Sequence, residues 1–349
     1  MTEAEKRKDR FRGCLIGGAI GDALGYPIEF KKGVDAEVTG FTEFEGGTGL
    51  ISDDTQMTLF TASGILNYLA KKKEGETVSL IKGGIYPAYK RWVFTQTRGN
   101  CPEDLRVPND FEKEGLIPSI MERRELFARR APGSTCTLTL KPDEMGTFFN
   151  PPNDSKGCGG VMRVAPIGLS LEPVEAMEKA ADAAALTHFH RTGYSSAAAF
   201  ALIISEIVNC GASLSEAVNI AIRSGRQVYG ADDETAAALE KAVELSEGDL
   251  RPFRAIAKLG ANRIKGPGWT GEEALAVAVY CALKEPDIRK ALLMAVNHDG
   301  DSDSTGAICG NILGALYGYE ALPEDWKEQV ELSGFILQMA DALCDAATE

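Results

Sequence analysis

Gly13, Gly17, Gly21 and Gly25 recur at every fourth position through an apolar segment near the start of the chain, and Gly306, Gly310, Gly314 and Gly318 do the same near its end. Positions four apart share one face of a helix, so each set forms a ridge that carries no side chains. A glycine inside a helix costs about 1 kcal/mol relative to alanine, so each ridge gives up roughly 3 to 4 kcal/mol unless another backbone comes close to the bare face. The expectation is two glycine-rich helices packed tightly in the core, which would bring the two ends of the chain together.

The rest of the chain is patterned for helices as well. Residues 55–71 put Leu59, Ile65, Leu66 and Leu69 on one broad face, and residues 173–186 follow Glu172 with an alanine-rich stripe. Residues 195–208 are apolar nearly all round, as in a central helix enclosed by others. Thr270 and Glu273 read as a capping box opening a helix over 271–283; Pro286 opens 287–296, and Pro323 opens the C-terminal segment toward Cys344. The one alternating, strand-like stretch is 135–140. The fold class expected is therefore all-α. At ~150 residues per domain, 349 residues would allow two domains or one large helical one. With no Pro-, Ser- or Gly-rich linker and no solenoid-length repeat, a single compact multi-helix domain over 1–349 is favoured. Irregular stretches fall at 31–51, 96–111, 139–158 and 263–269, and loops longer than ~12 residues in a compact domain tend to be functional or disordered.

Charge and cysteine usage narrow the function classes. Lys plus Arg number 37 against 51 Asp plus Glu, a net charge of −14 that repels phosphate backbones and anionic lipid, so no direct nucleic-acid binding and no membrane partner are expected. The charged N-terminal residues 1–10 lead into no signal-type apolar core, which favours a cytoplasmic protein. The longest strongly apolar stretch, 197–204, is interrupted by Ser205 and Glu206, well short of the ~20 residues that span a bilayer. Eight scattered cysteines include no C-x-x-C pair, and Cys210, Cys281 and Cys309 sit in apolar helical pattern, so buried free thiols are expected rather than a zinc site.

Two acidic clusters sit at helix starts: Ser52-Asp53-Asp54-Thr55 and Asp299-Gly300-Asp301-Ser302-Asp303-Ser304-Thr305. Each alone could be an N-cap, since Ser and Asp cap helices and suit the positive end of the helix dipole. A cap needs one such residue, however, and here carboxylates crowd together at a cost that a divalent cation relieves. Carboxylates and hydroxyls without His or Cys point to Mg²⁺, Mn²⁺ or Ca²⁺ rather than zinc. Asp301-x-Asp303 resembles the start of an EF-hand loop, but Ala307, Gly310 and Ile312 occupy its later positions and no Glu closes it.

Gly21-Asp22-Ala23-Leu24-Gly25, Glu29-Phe30, Ser52-Asp53-Asp54-Thr55-Gln56-Met57, Gly157-Cys158-Gly159-Gly160-Val161-Met162-Arg163-Val164-Ala165-Pro166, Leu186-Thr187-His188, Gly268-Trp269 and Gly300-Asp301-Ser302-Asp303-Ser304 follow one another in chain order. In that order they resemble the ADP-ribosylglycohydrolase family, of the type that reactivates ADP-ribosylated dinitrogenase reductase, over about residues 11–326. The resemblance implies an all-α fold and two divalent cations, Mg²⁺ or Mn²⁺, held by Ser52, Asp53, Asp54, Asp301, Asp303 and Ser304. It implies hydrolysis of an N- or O-glycosidic bond at the anomeric carbon of ADP-ribose, with an ADP-ribosylated protein, nucleic acid or small molecule as substrate.

Asp53, Asp54 and Asp301 then join Glu29 as catalytic candidates, Glu29 as general base or metal ligand. The glycine run Gly157, Cys158, Gly159 and Gly160 can bring backbone N–H groups to a diphosphate. Cys158 stands where many relatives have Asn, so the resemblance carries no polar contact at that position. His188 matches the family's Thr-His pocket motif and is assigned to substrate binding, while Trp269 is a stacking surface for adenine; His190 and His298 are left without a role. Two other readings are a catalytically idle ADP-ribose-binding or structural relative, and a dinuclear-metal nucleotide phosphohydrolase.

Overall fold

The computed structural model describes residues 1–31, 37–41, 47–99, 101–142, 144–146, 151–260 and 266–348. Parts of the irregular stretches named above, 32–36, 42–46, 100, 143, 147–150 and 263–265, lie outside the described residues. The helices of seven or more residues are α1 (Glu3–Gly25), α2 (Asp53–Lys73), α3 (Tyr86–Thr97), α4 (Ser134–Leu140), α5 (Pro173–Ala184), α6 (Arg191–Asn209), α7 (Leu214–Tyr229), α8 (Glu234–Glu247), α9 (Pro252–Leu259), α10 (Gly271–Lys284), α11 (Ile288–Val296), α12 (Ser302–Tyr317) and α13 (Ser333–Ala346). Among the described residues there is no strand; two isolated bridges, Gly49 with Val330 and Gly157 with Thr270, are the only β-type pairings. The all-α expectation holds.

The two glycine ridges face each other. A β-carbon built on Gly13, Gly17, Gly21 or Gly25 would overlap backbone atoms of Gly314, Gly310, Gly306 or Ser302 in turn, so α1 and α12 pack backbone to backbone along their length. Asn311 Nδ2 donates to Cys14 O at 2.7 Å across this seam. The ridges thus join the ends of the chain, and α13 closes over α1 with Arg12 paired to Asp341 at 2.6 Å. α6 is buried almost all round between α5, α7 and α10, as its apolar pattern predicts.

Four local expectations are corrected. Residues 135–140 form part of helix α4, not a strand: Cys136 and Leu140, four apart, are buried on one face, and the buried Lys90 donates to the carbonyls of Leu140, Lys141 and Pro142 beyond the helix end. Thr270 precedes α10 but makes no side-chain cap: its Oγ1 is buried without a hydrogen-bond partner, while Glu273 accepts from Gly268 N at 3.2 Å. The segment opened by Pro323 is broken: a short helix, Glu324–Gln329, ends before Leu332, whose φ of 60° starts α13 afresh. Cys210 is the exposed cap after α6 rather than a buried thiol; Cys281 and Cys309 are buried as expected, and all eight cysteines are free.

Candidate active site

Asp22 organises one side of the site. It lies within the glycine ridge of α1, fully buried, and its carboxylate accepts from Ser52 N (2.9 Å), Thr55 N (3.1 Å) and Thr55 Oγ1 (2.5 Å). Ser52 N and Thr55 N are backbone donors at the start of α2, so an acid on one helix pins the N-terminus of another. Ser52 caps α2 by accepting from Asp54 N at 3.2 Å, which leaves Asp53 and Asp54 in the first turn. Upstream, Arg130 holds the approach by pairing with Glu331 and donating to Ile51 O at 2.9 Å. Asp53 Oδ2 accepts from Gly133 N at 3.0 Å, which draws the 131–135 loop over the cluster.

The second acidic cluster arrives at the start of α12 because the glycine ridges dock. Asp301 is the N-cap, accepting from Ser304 N at 3.3 Å, and Asp303 Oδ1 accepts from the same N–H at 3.0 Å. Asp301 N donates to Pro267 O (3.0 Å), and Gly268, with φ of 95°, leaves room for Asp301 where a side chain would crowd it. His298 shapes this loop: Nδ1 accepts from Gly300 N at 3.1 Å and Nε2 meets Thr305 Oγ1 at 2.9 Å. His190 proves to be the N-cap of α6.

Beyond α1, the turn Tyr26–Ile28 delivers Glu29, 8% exposed, to the same place. Carboxylate oxygens of Glu29, Asp301 and Asp303 lie within 4.8 Å of one another. Glu29 Oε2 and Asp54 Oδ1 are buried with no hydrogen-bond partner among the described residues. Burial, then the neighbouring acids, drives Glu29 and Asp54 well above the usual carboxylate range. Asp53 and Asp301 are raised for the same two reasons, and Asp303 is raised by burial. Asp22 is pushed up to about 7 by burial and by Asp303. Orphaned oxygens on mutually repelling carboxylates are what a hard divalent cation satisfies, so the donor set fits such an ion.

The pH dependence follows from these shifts. With folded-state values above the ~4 of an unfolded carboxylate, the folded state binds more protons, so stability is fully present below pH ~4 and lost as pH rises through the folded values. Metal-free protein in chelator is therefore expected to unfold at steadily lower temperature from pH 5 to pH 8, each titrating acid contributing up to about 1.4 kcal/mol per pH unit. Differential scanning calorimetry reads this directly. A transition independent of pH over that window would mean that the acids carry no such burden.

Glu29, Asp53, Asp54, Asp301 and Asp303 line one cavity of about 900 Å³, together with Gly157, Cys158, Gly159, Met162, His188, Phe30 and Trp269. Ser52 and Gly160, also expected at the site, are buried and do not line it. The glycine loop and the Trp269 segment are tied by their backbones: Gly271 N donates to Lys156 O at 2.9 Å and Cys158 N to Trp269 O at 3.3 Å. Lys156 anchors the pair from outside through Glu272 (2.7 Å) and Glu234 (2.6 Å). Cys158 Sγ sits 2.8 Å from Asp301 Oδ2, joining the loop to the acidic cluster, and burial and Asp301 push its thiol well above the ordinary range. At the cavity mouth the Phe30 ring, 71% exposed, lies 5.9 Å from that of Trp269.

A sequence model described as ADP-ribosylglycohydrolase matches residues 3–349. The chain belongs to the ADP-ribosylglycohydrolase family. Among its relatives are an uncharacterized protein of Archaeoglobus fulgidus, 30% identical over 96% of both chains, and ADP-ribosylhydrolase ARH3 of Bos taurus, 26% identical over 94% of this chain and 90% of that one. ADP-ribosylarginine hydrolase Tri1 of Pseudomonas putida is 25% identical, covering 99% of this chain and 80% of its own. A solved structure of an ADP-ribosylglycohydrolase-related protein complex superposes with a TM-score of 0.58 over 98% of this chain and 99% of that one, at 24% identity, a likeness of fold. The family and the names of these relatives support ADP-ribosyl hydrolysis in general.

Asp22 is the member of the site to which the sequence assigns no role. Its signal is a lone carboxylate inside the apolar, glycine-ridged run 13–25, where a charge is costly without partners. Among the described residues no helix is long and apolar enough to cross a membrane.

Proposed function

We propose that this protein is a cation-dependent hydrolase that cleaves the N- or O-glycosidic bond at the anomeric carbon of ADP-ribose, releasing ADP-ribose from a modified acceptor. What carries the reading is one cavity of nucleotide-sugar size in which orphaned carboxylate oxygens face a glycine loop, a buried histidine and an aromatic mouth. Asp53, Asp54, Asp301, Asp303 and Ser304 would hold two cations, Mg²⁺ or Mn²⁺, with Ser52 capping α2 behind them; when bound the cations supply Lewis acidity and neutralise charge around an oxocarbenium-like transition state.

The chain's own residues do the rest. Glu29, ionised once a cation offsets the burial and the neighbouring acids that raise it, takes a proton from the water that adds to the anomeric carbon and passes it to the acceptor group as the glycosidic bond breaks. The Gly157–Gly159 edge of the glycine loop lies against the diphosphate, His188 binds beside it, and Trp269 stacks on adenine with Phe30 at its edge. A cytoplasmic setting is supported by eight cysteines without a disulfide.

The deciding test is incubation of the purified protein with arginine-linked and serine-linked ADP-ribosyl peptides, with Mn²⁺, with Mg²⁺ and with chelator, followed by mass spectrometry. Free ADP-ribose that appears with cation and not with chelator is the expected result. Release of inorganic phosphate, or tight ADP-ribose binding without release from any substrate, would overturn the hydrolase reading. Trp269→Ala is expected to weaken ADP-ribose binding by about 1 to 3 kcal/mol, the range for loss of an aromatic stack on a base. Titration calorimetry with ADP-ribose checks it, and an unaltered dissociation constant would leave Trp269 a packing residue.

A further inference from the structure

Arg163 is a fully buried cation with no acidic partner among the described residues. Its guanidinium stacks 4.4 Å from the Tyr89 ring centroid and donates to Ala183 O (3.1 Å), Thr187 Oγ1 (2.7 Å) and Cys136 Sγ (3.3 Å). An arginine can only donate, so at Thr187 it occupies an acceptor site and leaves the hydroxyl proton for another partner. Two nitrogen or oxygen acceptors are in reach: His188 Nδ1 at 2.8 Å and Ala184 O at 3.3 Å. The Ala184 carbonyl already accepts from Thr187 N (3.0 Å) and His188 N (2.9 Å), which fills its two lone pairs. The hydroxyl proton therefore goes to Nδ1, and the ring's own proton belongs on Nε2.

We propose that Arg163 and Thr187 are positioning residues that lock His188 as an Nε2–H donor, aimed at an acceptor oxygen of the nucleotide-sugar lying against the Gly157–Gly160 loop. The inference rests on the reading of this cavity as an ADP-ribose site and adds to it the identity of the donor and the device that sets it. A β-carbon on Gly157 would sit 3.3 Å from Nε2, and one on Gly159 3.4 Å, so the two glycines keep that edge clear. His188 is 2% exposed, it lines the cavity, and Nε2 has no hydrogen-bond partner among the described residues. With no protein acceptor, that N–H is left for a ligand oxygen in the cavity. Burial and the nearby Arg163 also hold the imidazole neutral, moving it down to about 3. With both ring nitrogens fixed, the site presents one N–H in one direction, without rotamer or tautomer choice left to the ligand.

The chain has only three histidines, so ¹⁵N-histidine labelling and long-range ¹H–¹⁵N correlation spectra read the tautomers directly, with the His188 signals assigned by their loss in His188→Gln. The neutral Nε2–H pattern is expected at pH 7 in the intact protein. Thr187→Ser keeps the hydroxyl and should keep the pattern, whereas Thr187→Val should give the other tautomer or a mixture. Toward an ADP-ribosyl peptide, Thr187→Val should raise KM about tenfold with kcat little changed, the behaviour of a lost contact to a non-reacting oxygen, and serine should restore KM. An Nδ1–H tautomer or an imidazolium in the unmutated protein overturns the proposal, even where the valine variant fails to fold. An unchanged tautomer and KM in Thr187→Val overturns it as well. The spectra need no substrate, so failure of the hydrolase reading would show in the peptide assay alone.

Discussion

Asp301→Asn is expected to leave the protein folded and to remove activity by two orders of magnitude or more. Asparagine caps a helix about as well as aspartate, so the α12 start, where Asp301 accepts from Ser304 N, survives the change. What disappears is one negative charge from a set of buried acids, and a cation site short of an anionic ligand binds its ions less tightly and holds water and ribose less exactingly. A second result separates this account from simple capping. In chelator at pH 8, Asp301→Asn should be more stable than the unmutated protein, because it deletes a carboxylate whose ionisation burial and Asp303 oppose. Adding Mn²⁺ should then stabilise the unmutated protein more than the variant, by mass action on the folded state. Steady-state kinetics and calorimetry with and without chelator measure both halves. A fully active variant, or one whose stability matches the unmutated protein under all these conditions, would return both acidic clusters to the role of helix caps.

The features legible in the sequence are those whose physical signature is local or periodic. Glycine at every fourth position has one economical explanation, and α1 against α12 is that explanation. Excess carboxylates at two helix starts betray themselves by their cost, and the structure brings them to one cavity. The partnerships made across the fold leave fainter marks. Asp22 reads as an isolated acid until Ser52 and Thr55 are seen to donate to it, and Arg163 reads as an ordinary charge until Thr187 and Tyr89 surround it. Misreadings have the same origin. The Thr-Leu alternation of 135–140 imitates a strand, yet the segment is helical, buries Cys136 and Leu140 on one face, and has its end carbonyls taken by Lys90, 50 residues away from Leu140 in the chain. Likewise Thr270 and Glu273 have the spacing of a capping box, yet the glutamate is claimed by Gly268 N in the loop that borders the acidic cluster.

Gly310→Ala is expected to cost about 3 kcal/mol or more of stability, at or beyond the upper end for overpacking a core. In an isolated helix the same change would gain about 1 kcal/mol, so the sign of the result tests the packing and not the propensity. A β-carbon on Gly310 would overlap the Gly17 carbonyl, and on Gly17 it would overlap that of Gly310. Neither obstacle is a side chain that can swing aside. The helices must part, and α1 and α12 are the elements that carry Asp22 and Asp301 to the same site. Loss of stability should therefore come with loss of cation-dependent stabilisation, since separating the helices moves Glu29 and Asp22 away from Asp301 and Asp303. Gly334→Ala in α13 supplies the control: no atom lies within 4 Å of its would-be β-carbon, and alanine there should be neutral or gain up to about 1 kcal/mol. Urea denaturation of the two variants at matched cation concentration reads the difference. If Gly310→Ala proved as stable as Gly334→Ala, the backbone contact between the ridges would be too loose to fix the spacing of the two acidic clusters.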